Sequence, residues 1–158
     1  MKGFYYVISK LRDYMKEDLG IVTFTNGAID KIDNVKQVAY PYAHIMVNNV
    51  TPSSPSSVFN VSVILMDVVD ISKQESSNLF DGNDNELDIL NTVLIYCLRL
   101  SEQLRRGQLY DDLIRIDSET ISCEPFIDRF EDKVAGWVIT FDLNVPNDMT
   151  ICDGTEKC

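Results

Sequence analysis

The sequence predicts an α+β fold: a mainly antiparallel sheet of four to five strands packed on an N-terminal helix and one long central helix. Three observations point to it. Apolar residues recur at three- and four-residue spacings near the N-terminus and again over Leu87–Leu104. Elsewhere the period changes to two, most plainly from Phe59 to Leu65 and from Ile139 to Val145. The chain has 158 residues of which 45% are apolar, enough for one domain with one core and no disulfide or metal support.

Phe4, Val7, Ile8, Leu11, Tyr14 and Met15 share one helical face, with Lys10, Arg12, Asp13, Lys16 and Glu17 between them, and Gly20 ends the run. Ile21–Phe24 is β-branched and aromatic, and Asn26-Gly27 then supplies a tight turn. Pro41 limits any strand before it, whereas Ala43–Val50 is rich in strand formers. Thr51–Ser57, with Pro52 and Pro55 among serines, reads as a loop. Val58–Asp70 first sets Phe59, Val61, Val63 and Leu65 against Asn60 and Ser62, then turns apolar on both faces from Ile64, which predicts a central strand.

Ser72–Asp84 is a polar loop, and Asn83 with Glu86 resembles a helix-start capping arrangement. Leu87, Leu90, Val93, Leu94, Cys97, Leu98, Leu100 and Leu104 follow helical spacing, and Arg105-Arg106 precede Gly107 at the expected stop. Two strands follow, Ile121–Phe130 and Val138–Val145, with Glu131-Asp132-Lys133 as the hairpin tip and Pro146 as the stop. Residues 1–150 thus form the domain, and 151–158 a tail, exposed or docked on a partner.

Composition narrows the function. Fourteen basic residues against 25 acidic ones give a net charge of −11, which disfavours non-specific or sequence-specific adhesion to nucleic acid, since phosphate binding needs a surplus of Lys and Arg. No membrane-length apolar run and no export signal is seen at the N-terminus, so a soluble, cytosolic protein is expected. Cys97, Cys123, Cys152 and Cys158 have neither CxxC nor regular spacing and read as ordinary thiols. The sequons at Asn49 and Asn60 matter only in a secreted protein.

Each candidate for chemistry has a plainer reading. His44 is the sole histidine and lies in a predicted strand far from any nucleophile motif, so a structural role is expected. Asp81, Asn83 and Asn85 match the first alternating ligands of a calcium loop. Glu86 then replaces the required Gly and Thr92 the bidentate Glu, which favours a solvated loop. The carboxylates at Asp111-Asp112, Asp117/Glu119 and Asp128/Glu131/Asp132 read as a solvated acidic face. No nucleotide-binding glycine motif or HExxH is present, so no cofactor, metal or catalytic residue is assigned. Leu at six positions of the long helix suits the core, and Trp137 either packs there or anchors a contact between subunits.

One stretch carries a resemblance. Glu124-Pro125-Phe126-Ile127-Asp128-Arg129-Phe130-Glu131-Asp132-Lys133-Val134-Ala135-Gly136-Trp137, the strand Val138–Val145 and the ending Pro146-Asn147-Asp148-Met149-Thr150-Ile151-Cys152 resemble the C-terminal half of tail-completion or neck proteins of tailed bacteriophages of Bacteroidetes hosts, including crAss-like phages. The chain as a whole, from the N-terminal helix onward, is similar to the same proteins. The resemblance implies a tail-terminator-like fold and a non-enzymatic virion protein made in the host cytoplasm. It implies six or twelve copies in a ring, beside portal, adaptor or tail proteins, with DNA passing through the bore. Pro52 and Pro55 in the Ser/Pro loop, Glu131, Asp132 and Lys133 at the hairpin tip, Trp137, and Met149 and Ile151 near the C-terminus are then the residues expected to reach neighbours. Net acidity would let DNA slide without sticking. The alternative is a soluble, non-enzymatic protein-binding adaptor of phage or host.

Overall fold

The two periodicities resolve into helices over one face of a six-stranded sheet. The computed structural model describes residues 3–32, 39–71, 78, 80, 82, 84–112, 114–116, 120–127 and 133–147. In chain order the elements are α1 (Phe4–Asp18), β1 (Thr23–Asn26), a 3-10 turn (Ile29–Lys31), β2 (Tyr42–Pro52), β3 (Ser56–Val68), α2 (Glu86–Arg106), α3 (Gln108–Asp111), β4 (Arg115–Ile116), β5 (Ser122–Ile127) and β6 (Val134–Pro146). The predicted order of long elements holds, and β4 and α3 are added to it.

The sheet runs β1-β2-β3-β6, with β4 and β5 sharing the outer side of β6. β3 is central, as its two apolar faces require, pairing with β2 on one side and with β6 from Ser56↔Pro146 to Val68↔Val134 on the other. Every pairing is antiparallel except β1 with β2. Asn26-Gly27 therefore does not close a hairpin. Gly27, at φ 115°, instead turns the chain into a crossover whose Ile32 and Tyr40 pack over the face away from the helices.

Val7, Leu11 and Met15 of α1 and Val93, Cys97, Leu100 and Leu104 of α2 meet Val61, Val63, Leu65, Ile139 and Phe141 in the main core. Each large aliphatic or aromatic side chain buried this way contributes ~1.5–3 kcal/mol. A second, smaller cluster corrects the expectation of a single core. Ile32, Tyr42, Ile64, Met66, Phe126 and Val134 pack on the opposite face, where β3 turns apolar on both sides.

Three local expectations change. The Ser/Pro loop shrinks to a hairpin tip: Thr51 and Pro52 end β2, Ser56 begins β3, and Ser53 N–H donates to the Ser56 carbonyl at 2.9 Å. The start of α2 is Asn85 and not Asn83, which lies outside the described residues; Asp84 Oδ1 accepts the Glu86 N–H at 3.3 Å. Gly107 does end α2, though in an extended conformation (φ −105°, ψ −159°), so left-handed geometry is not its reason. A Cβ there would press into the Gln103 side chain, 2.8 Å from Gln103 Cα, and Gln103 Oε1 is held accepting the Gln108 N–H at 2.9 Å.

Candidate functional site

The residues expected to reach neighbours do not form one site. Pro52 and Pro55 stand at the β2–β3 tip, where the last described residue closes over them: Asn147 N–H donates to the Pro55 carbonyl at 3.2 Å, and its Nδ2 to the Ser53 carbonyl at 3.0 Å. Lys133 is exposed at the other end of β6, a 13-residue strand, so the two ends lie roughly 40 Å apart. Its carbonyl accepts the Val69 N–H at 2.8 Å. Trp137 is half-buried between β6 and α2, and its indole N–H donates to the Leu90 carbonyl at 2.8 Å. Glu131, Asp132, Met149 and Ile151 lie outside the described residues, as do Asp81, Asn83, Asp117, Glu119 and Asp128.

Two unlike sheet edges bracket the molecule. β1 covers β2 only from Tyr42 to Ile45, so among the described residues Met46–Pro52 pairs on its β3 side alone. Asn48, Asn49, Val50, Thr51 and Pro52 are exposed there, and a bulge between Val47 and Asn49 twists the edge. On the far side, among the described residues, β4 and β5 pair with β6 alone, with Pro125 interrupting the row of donors. Unpaired edge groups form the main-chain template that another strand recognises.

On the face away from the helices a polar ladder crosses three strands. Asn48 Nδ2 donates to Asn60 Oδ1 at 2.7 Å and to Ser62 Oγ at 2.8 Å; Asn60 Nδ2 donates to Asp142 Oδ1 at 2.6 Å; Ser62 and Thr140 share a bond at 2.9 Å. The ladder runs beside the smaller core, from exposed Asn48 to buried Ser62 and half-buried Asn60, Thr140 and Asp142. Alternation of Asn60 and Ser62 marked that face as polar, but the partners across strands come only from register.

His44 is wholly buried, with Nδ1 2.6 Å from Thr25 Oγ1 and Nε2 3.2 Å from the Gly27 carbonyl. A proton on Nε2 suits both contacts, leaving Nδ1 to accept from Thr25. Burial pushes the imidazole pKa below its ordinary value, against the opposing effect of the Gly27 carbonyl. Cys97 of α2 and Cys123 of β5 are free thiols that act on each other electrostatically. That interaction, with burial, raises the Cys97 pKa, and it lowers Cys123 to about 7 against the effect of burial.

A cleft of about 220 Å³ between α1 and α3 is lined by Lys10, Asp13, Glu17, Asp18, Gln108 and Asp112 among others. Lys10 Nζ meets Asp112 Oδ2 at 2.9 Å, and that hydrogen bond raises the lysine pKa. The excess of carboxylates in this cleft attracts cationic groups. No cluster of three metal-ligating side chains occurs among the described residues, and none of the described helices is long and apolar enough to cross a membrane.

No protein-family model matches the chain, and no curated protein matches it.

Proposed function

We propose that the chain is a non-enzymatic structural subunit of a phage virion, assembling head-to-tail into a ring of the neck or tail through which DNA passes. The observation that carries this reading is the pair of unlike edges, on opposite sides of the sheet, that no described strand covers. A closed ring needs a heterologous contact, in which one surface of each copy meets a different surface of the next. β2 runs parallel to β6 and β5 antiparallel to it, so a copy rotated about an axis along the strands brings its β4–β5 edge antiparallel to β2. The net charge of −11 suits a bore wall past which a polyanion slides. The same β2 edge would serve an adaptor taking one extended segment of a partner, and assembly size separates the two.

Two measurements test the proposal. Mass spectrometry of purified virions from the source phage should find the chain in a fixed ratio to the portal protein, and absence from intact virions would sink the virion reading. Native mass spectrometry of the Val50→Lys/Thr51→Lys variant, which places charge on the open edge, should show rings lost while the circular dichroism melt is kept. Rings that survive both lysines would show that the β2 edge is not the contact.

A further inference from the structure

The outer side of α2 carries an apolar patch that is exposed among the described residues. Ile89, Val93, Cys97, Leu100 and Leu104 face the core. On the opposite side Asp88, Asn91, Ile95, Leu98, Glu102 and Arg105 follow each other at alternating spacings of three and four, the period of a helix-pairing seam. Ile95 is 42% exposed and Leu98 53%. Leu87 joins them at 49%, so the Leu87 and Leu98 that the sequence pattern assigned to the core belong to the surface. Beside the seam runs a groove of about 440 Å³ whose lining includes Tyr14, Ile95, Leu98 and Arg99.

We infer that this seam is a docking surface for a second copy of the chain, α2 against α2, antiparallel about a two-fold axis between Ile95 and Leu98. Charge selects both the partner and the direction. The seam has apolar residues at its centre, acidic Glu86 and Asp88 at its N-terminal end, and basic Arg105 and Arg106 at its C-terminal end. The antiparallel register that sets Ile95 of one copy on Leu98 of the other also sets Asp88 against Arg105 and the Asn91 amide against the Glu102 carboxylate. Each of these contacts occurs twice, as a two-fold axis demands. Parallel pairing would oppose Asp88 to Asp88 and Arg105 to Arg105. Glu102 draws on both arginines within its own helix, at 3.3 Å and 2.6 Å, and two cations against one carboxylate leave that end positive. The groove beside α1 gives the incoming apolar side chains a seat. This contact is isologous and lies on the helix layer, so it does not rest on the edge-to-edge ring.

Sedimentation equilibrium of the full chain over a concentration series tests the inference. It is done in the Val50→Lys/Thr51→Lys background, so that edge assembly is read separately. A monomer–dimer equilibrium is expected, with Leu98→Glu raising the dissociation constant roughly tenfold or more. Asp88→Arg and Arg105→Asp should each weaken the dimer, their combination in one chain should restore it, and a mixture of the two single variants should form heterodimers. Circular dichroism melts establish that each variant is folded. A chain monomeric at every concentration, a dimer indifferent to Leu98→Glu, or charge reversals that fail to rescue one another would overturn the proposal. So would a monomer that dimerises only after deletion of residues 148–158, because the chain's own C-terminal segment would then be the occupant of the seam.

Discussion

His44 is fixed at both ring nitrogens by the way β1 and β2 meet. Parallel pairing of β1 and β2 sets Thr25 opposite it, and the Gly27 carbonyl takes its other nitrogen. Burial favours the neutral ring, with Lys31 opposing a positive charge and Asp30 partly favouring one. Below the ordinary histidine value of about 6.5 the unfolded chain therefore binds more protons than the folded one. Stability from this group is full above that pH and falls as pH drops toward the lower folded value. Urea titrations of wild type and His44→Gln from neutral pH down through that window should show the wild type losing stability with the steeper slope. Parallel slopes would mean that His44 does not titrate in this way. Gly136 is the second residue whose identity is dictated by neighbours. A Cβ there would run into the Leu65 carbonyl and lie 2.8 Å from Met66 Cα, both of them backbone of β3. Gly136→Ala should cost on the order of 2 kcal/mol, read as a drop of several degrees in Tm. An unchanged melt would mean that β3 and β6 part enough at Gly136 to admit a methyl group.

At the scale of elements the helices were the most legible, because a core-facing stripe repeats down the chain. Phe4–Asp18 and Glu86–Arg106 begin and end close to their sequence signals, yet the spacing of leucines could not tell the inner from the outer face of α2. Leu100 and Leu104 face the core while Leu87 and Leu98 do not, since the helix has apolar residues on two sides and only the sheet's position selects one. Trp137 fixes that choice from the strand side through its bond to the Leu90 carbonyl. Trp137→Phe keeps a ring in place and removes the donor, so it should destabilise the fold by about 1 kcal/mol in urea titration. A neutral substitution would show that packing alone docks α2 on β6. The β2–β3 hairpin was read as a longer loop because Ser and Pro at its end signal a turn whether or not the flanking residues pair.

For the whole molecule, the layered arrangement of helices on one face follows from patterning, and β3 was placed centrally because it is apolar on both faces. The candidate surfaces were less legible. Pro52, Pro55 and Lys133 were recognised as loop or tip residues, but nothing in their order showed that they sit at opposite ends of a long strand. The open part of β2 exists because β1 is only Thr23–Asn26 and pairs in parallel, leaving Met46–Pro52 uncovered on that side among the described residues. If the ring and the two-fold contact both operate, the Val50→Lys/Thr51→Lys variant should leave dimers, and adding Leu98→Glu should leave monomers.

Residue order alone carried the α+β class, the order of the long elements, the two-faced central strand and the acidic charge balance. Each of these depends on residue type at a short, repeating spacing, which local physics reads directly. Tertiary structure alone decided the parallel pairing of β1, the second core under Ile32 and Tyr40, the Asn48–Asn60–Asp142 ladder, the edges left open and the outward turn of Leu98. These depend on which distant segments meet and in what register, and a shift of one residue in a strand would exchange the two faces of the sheet.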